Sequence, residues 1–166
     1  MSALTLAEPT PEEFRDAIGR FASGVTVITT IDGETALGTT ASAVTSVCLE
    51  PPTLLVCMNR SSATGTAIAR SGRFAVNVLA EHQGALAGRL ATKDPDKFAG
   101  VEAARGVHGQ PLLPDAIAHI ECRVVERVEA GTHVVFLGRV ASLAATDGMP
   151  LAYFRGRFGR LALDEV

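Results

Sequence analysis

The side chains of this 166-residue sequence that could do chemistry are few, and they sit at the ends of apolar runs. Thr39-Thr40-Ala41-Ser42-Ala43-Val44-Thr45-Ser46 is a stretch of small and hydroxyl residues. Small side chains let backbone amides approach a ligand closely, and the hydroxyls add hydrogen bonds, so the stretch suits the edge of a flat polar ring. It reads equally as an edge strand, because Thr is a good strand former. Asn59-Arg60-Ser61-Ser62-Ala63-Thr64 ends an apolar strand and opens a helix. A helix N-terminus presents free N–H groups at the positive end of its dipole, which suits a phosphate, with Arg60 adding charge. An ordinary Ser cap has the same signature. Asn77 interrupts the apolar run Phe74-Ala75-Val76-Asn77-Val78-Leu79, and a buried amide there must find partners in a ligand or in the neighbouring backbone. His133 stands just past Gly131-Thr132, where two long strands should turn, as a site histidine or a surface one. Tyr153-Phe154-Arg155-Gly156-Arg157-Phe158 joins the only Tyr to two Arg residues, a set that fits an aromatic ring and a phosphate or a C-terminal strand with solvated charges.

No other catalytic pattern accompanies these. There is no GxGxxG after a strand, no phosphate loop of Walker type, no GxSxG elbow and no HExxH pair. Cys48, Cys57 and Cys122 are odd in number, lack CxxC spacing and lie in Val- and Leu-rich segments, so they read as reduced core thiols. None of His82, His108, His119 and His133 has a Cys or His neighbour at ligand spacing, and no metal is expected. With 47% apolar and 20% charged residues and a mean hydropathy of +0.25, the composition is on the apolar side of a globular protein. The net charge is −3 and the basic residues are scattered, which argues against a nucleic-acid partner. No run approaches 18 apolar residues and the first ten residues lack a basic cluster, so a cytoplasmic protein with no membrane association is expected.

The elements that must position these residues are mostly strands. Thr10-Pro11-Glu12-Glu13 opens a helix with a capping box; Phe14, Ala17, Ile18 and Phe21 fall on one face of it, and its end is expected near Ser23-Gly24. Strands follow over 25–31, 37–47 and 53–58, with a hairpin turn at Asp32-Gly33. Ser62–Arg70 reads as a short helix, Arg73–Leu79 as a buried strand, Glu81–Ala91 as another helix and Asp94–Pro114 as a loop. Ala118, Ile120, Cys122 and Val124 alternate with His119, Glu121 and Arg123, which places the second set on the outer face of a half-buried strand. His133–Ala145 is its partner beyond Gly131. Antiparallel strands with a few short helices hide their edges best by closing into a small β-barrel. Residues 1–9 are expected to form a tail and 10–166 one domain.

In order, these stretches resemble the flavin reductase family, the reductase components of two-component flavin-dependent monooxygenases. The likeness rests on Phe21-Ala22-Ser23-Gly24-Val25-Thr26-Val27-Ile28-Thr29-Thr30 and on Thr40–Val47 with Leu49-Glu50-Pro51-Pro52 behind it. Phe74–Leu79, Gly131-Thr132-His133 and Pro150-Leu151-Ala152-Tyr153 complete it. The resemblance implies a mainly β fold, an FMN-binding split β-barrel of antiparallel strands with short flanking helices, which forms a homodimer with a flavin site in each subunit near the interface. It implies reduction of FMN or FAD by NADH or NADPH and release of reduced flavin to a flavin-dependent monooxygenase. By position, Thr40, Ala41, Ser42, Ser46, Val47 and Cys48 would meet the flavin ring and ribityl chain. Asn59, Ser61, Ser62 and Thr64 would meet its phosphate, with Asn77 and Phe98 as further contacts. His133 would lie on the nicotinamide side as the catalytic residue, with Tyr153 and Arg155 as helpers. Members often carry Gly-Asp-His where this chain has Gly131-Thr132-His133, so the acidic residue is replaced. Two alternatives share the scaffold: an oxidase of the pyridoxamine-phosphate type, and a flavin-binding module without catalysis.

Overall fold

The structure, a computed structural model, describes residues 8–164; of the tail expected over 1–9, all but positions 8 and 9 lie outside the described residues. Helix α1 (Pro11–Ile18) begins as expected: the Thr10 hydroxyl accepts from the Glu13 N–H at 3.2 Å, and the Thr10 N–H donates to Glu13 Oε2 at 2.8 Å. It stops at Gly19 rather than near Ser23-Gly24, because those two residues form strand β1 (Ser23–Gly24), whose backbone is taken up by a later strand. The hairpin of β2 (Thr26–Asp32) and β3 (Thr35–Ala41) turns at Gly33, whose φ of 61° favours glycine. The strand expected over 37–47 is broken at Ser42-Ala43, and the chain resumes as β4 (Val44–Leu49), which pairs with β5 (Pro52–Asn59). Helix α2 (Ala63–Ser71), strand β6 (Arg73–Val78) and helix α3 (Gly84–Leu90) follow the expected order. The 94–114 loop contains a short pair, β7 (Ala104–Arg105) with β8 (Pro111–Leu112). Two long strands, β9 (Ala118–Ala130) and β10 (His133–Ala145), form the central hairpin. Strand β11 (Leu151–Phe154) pairs with β1 on one side and with β12 (Arg157–Arg160) on the other.

Seven strands form one antiparallel sheet in the order β3-β2-β6-β9-β10-β5-β4. Its two edge strands are therefore consecutive in the chain, with only Ser42 and Ala43 between them. If the sheet were flat, six steps of about 4.8 Å would hold its edges roughly 29 Å apart. The crossing from Ala41 to Val44 spans at most about 11 Å. The sheet is thus rolled, and its edges approach at this end with no ladder joining them. A first core gathers Ile28, Val56, Met58, Phe74 and Phe136 against Ile68 of α2. Gly138 on β10 is needed there, since a Cβ would lie 2.5 Å from the Phe74 ring. A second core joins Val25, Val27 and Leu79 to Ala87 and Leu90 of α3.

Two expectations about burial fail for reasons of tertiary structure. Glu121, expected on the outer face of β9, is only 2% exposed, because the 106–110 turn folds over it. Its carboxylate accepts from the His108 N–H at 3.0 Å, the Gln110 N–H at 3.3 Å and the Ser142 hydroxyl at 2.7 Å. Cys48, expected in the core, is exposed, because β4 is an edge strand. Cys57 is half-buried and Cys122 buried, and burial together with the neighbouring Glu121 pushes the Cys122 thiol up to about 12. Among the described residues no helix is long and apolar enough to cross a membrane.

Candidate functional site

Strand β5 has two faces. Leu54, Val56 and Met58 point into the first core; Leu55, Cys57 and Asn59 alternate with them on the opposite face. On β10 the same alternation puts Val134 and Phe136 inward and His133 and Val135 on the face of Asn59 and Cys57. The antiparallel ladder sets His133 directly opposite Asn59, a position where side chains start roughly 5 Å apart. The expected nicotinamide-side histidine and the first residue of the expected phosphate turn thus share one end of one ladder. The His133 ring is exposed, and its Nδ1 lies 2.9 Å from the Thr132 hydroxyl. Thr132, in the place where an acidic residue is common, therefore orients the imidazole and leaves Nε2 open to a ligand.

The turn after Asn59 is built by local hydrogen bonds. Asn59 Oδ1 accepts from the Ser61 N–H at 2.9 Å and the Ser61 hydroxyl at 2.7 Å. The Arg60 N–H donates to the Thr132 carbonyl at 2.9 Å, which ties the turn to the β9–β10 hairpin. Ser62 caps α2, its Oγ accepting from the Gly65 N–H at 3.2 Å, so the helix start is ordered. The Ala63 and Thr64 N–H groups lie in the first turn, where no helical carbonyl precedes them. Thr64 is 2% exposed, so its side chain is enclosed by the protein.

The positions expected to meet the flavin ring lie on the two sheet edges, whose strands keep one side of the backbone unpaired by any strand. On β3 the Thr40 hydroxyl donates to the Ala87 carbonyl of α3 at 2.7 Å, so Thr40 offers a ligand its backbone rather than its side chain. The Ala41 carbonyl accepts from the Thr26 hydroxyl, Ser42 is exposed in the crossing, and the Ala43 carbonyl accepts from the Cys57 N–H at 3.0 Å, which fastens the crossing to β5. On β4 the register shifts between Ser46 and Cys48, and Val47 stands out at the shift, 46% exposed.

Four expected site residues are not brought to this groove. Asn77 is fully buried; its Nδ2 donates to the Val27 carbonyl at 3.1 Å and Thr29 Oγ1 at 3.0 Å, and its Oδ1 accepts from the Leu113 N–H at 2.8 Å. Its amide is satisfied inside the protein, so it acts as a structural tie. Phe98 is 9% exposed and packs over Gly38 in the wall of a cavity of about 370 Å³ between the β2–β3 hairpin and the 95–111 segment. The preceding Lys97 donates to Thr39 Oγ1 and to the Leu90 and Thr92 carbonyls, and burial pushes its ammonium pKa down. Tyr153 belongs to the small β1-β11-β12 sheet, where it packs on Phe158 with ring centroids 5.7 Å apart, and Arg155 stands in the turn between β11 and β12. The Arg155 N–H donates to the Gly19 carbonyl and its guanidinium reaches Asp16, so it binds the last hairpin to α1. No hydrogen bond, ion pair or ladder among the described residues joins either to His133. Sequence reasoning missed Thr132 and Ala43, whose roles arise from the register between strands and have no local signal.

Comparison with known proteins shows the family of the chain. The flavin reductase like domain matches residues 18–162. The reductase component of a 4-nitrophenol 4-monooxygenase/4-nitrocatechol 2-monooxygenase from Rhodococcus opacus is 46% identical over 147 residues, covering 89% of this chain and 79% of its own. An NADH-dependent flavin reductase from a Rhodococcus species is 40% identical over 161 residues, covering 94% and 89%. Among solved structures, the NADH:FAD oxidoreductase of Streptomyces globisporus C-1027 in complex with NAD and FAD fragments superposes with a TM-score of 0.86 at 34% identity, covering 97% and 99%.

Proposed function

Because this chain belongs to the flavin reductase family, we propose that the seam between β3 and β4 and the turn at Asn59–Ser62 together hold a flavin nucleotide. The protein is an NAD(P)H:flavin oxidoreductase that reduces FMN or FAD and supplies the reduced flavin to a partner monooxygenase. When both are bound, nicotinamide supplies a hydride from C4 and the flavin takes it at N5. The chain's own residues orient the two. Ser46, the seam end of the proposed ring site, pairs with Leu54, five positions along β5 from Asn59, or about 17 Å, which suits an extended flavin nucleotide. Unpaired backbone amides at Thr40–Ser42 and Ser46–Cys48 face the polar ring edge and favour charge that develops on it. Ser61, Ser62 and the first N–H groups of α2 take the phosphate. His133, held by Thr132, lies beside that end and positions the nicotinamide. The observation that carries this reading is the pairing of His133 with Asn59 across one ladder.

The rolled sheet supports an FMN-binding split barrel, in one domain over 10–166. Exposed Phe14, Ile18 and Phe21 on and after α1, with Val128 on β9 and Leu143 on β10, support a homodimer, in which a second copy is needed to bring Tyr153 and Arg155 toward the nicotinamide.

Purified protein is expected to oxidise NADH only when free flavin is added, at a rate that saturates with flavin concentration. Absence of flavin-dependent NADH loss, in a folded sample tested with both FMN and FAD, would overturn the assignment. The phosphate site has its own test. Asp is as good a helix cap as Ser, so Ser62→Asp preserves α2 while placing a negative charge where the phosphate binds. The dissociation constant for FMN should rise by on the order of tenfold through like-charge repulsion, with riboflavin, which lacks the phosphate, much less affected. Equal affinity of the variant and wild type for FMN would remove the phosphate from this turn.

A further inference from the structure

The cavity of about 370 Å³ between the β2–β3 hairpin and the 95–111 segment takes no part in the site described above. Its β3 wall is Thr35–Leu37, and Ala36 lies five residues, or about 17 Å, along that strand from Ala41 at the seam. The cavity opens where the second core runs out: Ala36, Val101 and Ala103 pack against that core yet stay half-buried, so they also present apolar surface to the cavity. Its walls are tied in place by the protein itself. Arg89 of α3 donates to the Ala99 carbonyl, the Thr29 hydroxyl of β2 donates to the Pro111 carbonyl, and Glu121 holds the turn between β7 and β8. Apart from Thr35, the polar lining residues are Asp96 and Arg105, both exposed. Neither makes an ion pair among the described residues, with the other or with a third group.

We infer that this cavity is a binding site for a small apolar carboxylate, separate from the flavin groove. Its volume falls within the roughly 300–1,000 Å³ of small-molecule sites, and apolar walls with one or two polar groups are the composition of such sites. The apolar body of the acid covers Ala36, Val101 and Ala103, which water otherwise wets. Arg105 takes the carboxylate. A guanidinium is weakly hydrated and presents a planar fork of donors that meets a carboxylate at two points, whereas Asp96 offers an ammonium no such match. Because Arg105 has no acidic partner, no ion pair is broken when it turns to the ligand. Asp96 opposes an anion, so it disfavours a second negative group on the ligand and selects acids with a single charge.

Calorimetric titration of the intact protein with benzoate, which carries one ring and one carboxylate, tests this. A dissociation constant of about 1 mM is expected, the scale for so small a ligand. Benzamide has the same shape without the charge and should bind about fivefold more weakly, and acetate, which lacks the apolar body, should not bind. Arg105→Gln should weaken benzoate by the same factor of about five and leave benzamide unchanged, while Asp96→Asn should tighten benzoate by about twofold. Ala104 is an exposed lining residue, so Ala104→Phe fills the cavity without entering the core and should abolish benzoate binding. Equal affinity of wild type for benzoate and benzamide overturns the inference, and so does benzoate binding unmoved by Arg105→Gln. Tighter binding of benzylamine than of benzoate also overturns it, and gives the cavity to a cation at Asp96. Saturating FMN should leave benzoate affinity unchanged; competition would place the acid in the flavin groove and overturn the inference as well. Wild type that binds no flavin would sink the reductase reading alone, since the benzoate and benzamide titrations still decide this one.

Discussion

His133→Ala is expected to slow reduction of bound flavin by NADH by on the order of a hundredfold, the effect of misplacing reacting atoms by about 1 Å, while flavin affinity stays within a few-fold of wild type. The side chain is exposed at the first residue of β10, and the main-chain ladder to Asn59 does not depend on it. The substitution therefore leaves the Asn59–Ser62 turn and the sheet in place and removes only the ring held by Thr132. Stopped-flow bleaching of flavin by NADH, paired with a flavin titration of the same variant, separates the outcomes. Wild-type kinetics across the NADH range would exclude His133 from the site. Lost flavin binding, with normal reduction of whatever flavin remains bound, would move it to the flavin side.

Asn77→Leu should have an effect of comparable size on stability. The side chain is fully buried and links β2, β6 and the segment at Leu113 through three hydrogen bonds. Leucine has nearly the same shape but leaves the Leu113 N–H and the Val27 carbonyl without these partners, at about 1–3 kcal/mol for each unsatisfied group. A loss of about 4 kcal/mol, or roughly 10 °C in melting temperature for a chain of this size, is expected by thermal or denaturant unfolding. Flavin affinity, measured well below the new transition, should be kept. A variant with wild-type melting temperature and lost flavin affinity would make Asn77 a ligand contact after all.

The features legible in the sequence are those whose cause is local. Thr10 and Glu13 cap α1, Ser62 caps α2, Gly33 turns a hairpin, and Gly72 ends α2 with a φ of 66°, each signalled within a few residues. The break at Ser42-Ala43 was illegible because the residues on either side have the same small, hydroxyl-rich composition; only the ladders show that they belong to opposite edges. Glu121 looked solvated because its partners, the His108 and Gln110 N–H groups, come from a loop that alternation along β9 does not reveal. The end of α1 was set by a strand from the far end of the chain. In the candidate site, the helix start and the histidine were each visible as residue types, but their opposition across β5 and β10 is a matter of register, and a slip of one residue would have put His133 on the other face. The need of the Asn77 amide for partners is legible from its apolar neighbours, but the partners, Val27, Thr29 and Leu113, are distant in the chain and have no local signal.

The crossing at Ser42-Ala43 fixes when, during synthesis, the molecule becomes competent. The β2–β3 and β4–β5 hairpins are complete well before β9 and β10 have been made, yet the two residues between them leave the hairpins without a shared ladder. Their edges are brought into place only through β6, β9 and β10, by pairings between residues distant in the chain, which form late. A nascent chain therefore carries each edge of the seam on a separate hairpin, and the two edges meet only after the last long strand has been added.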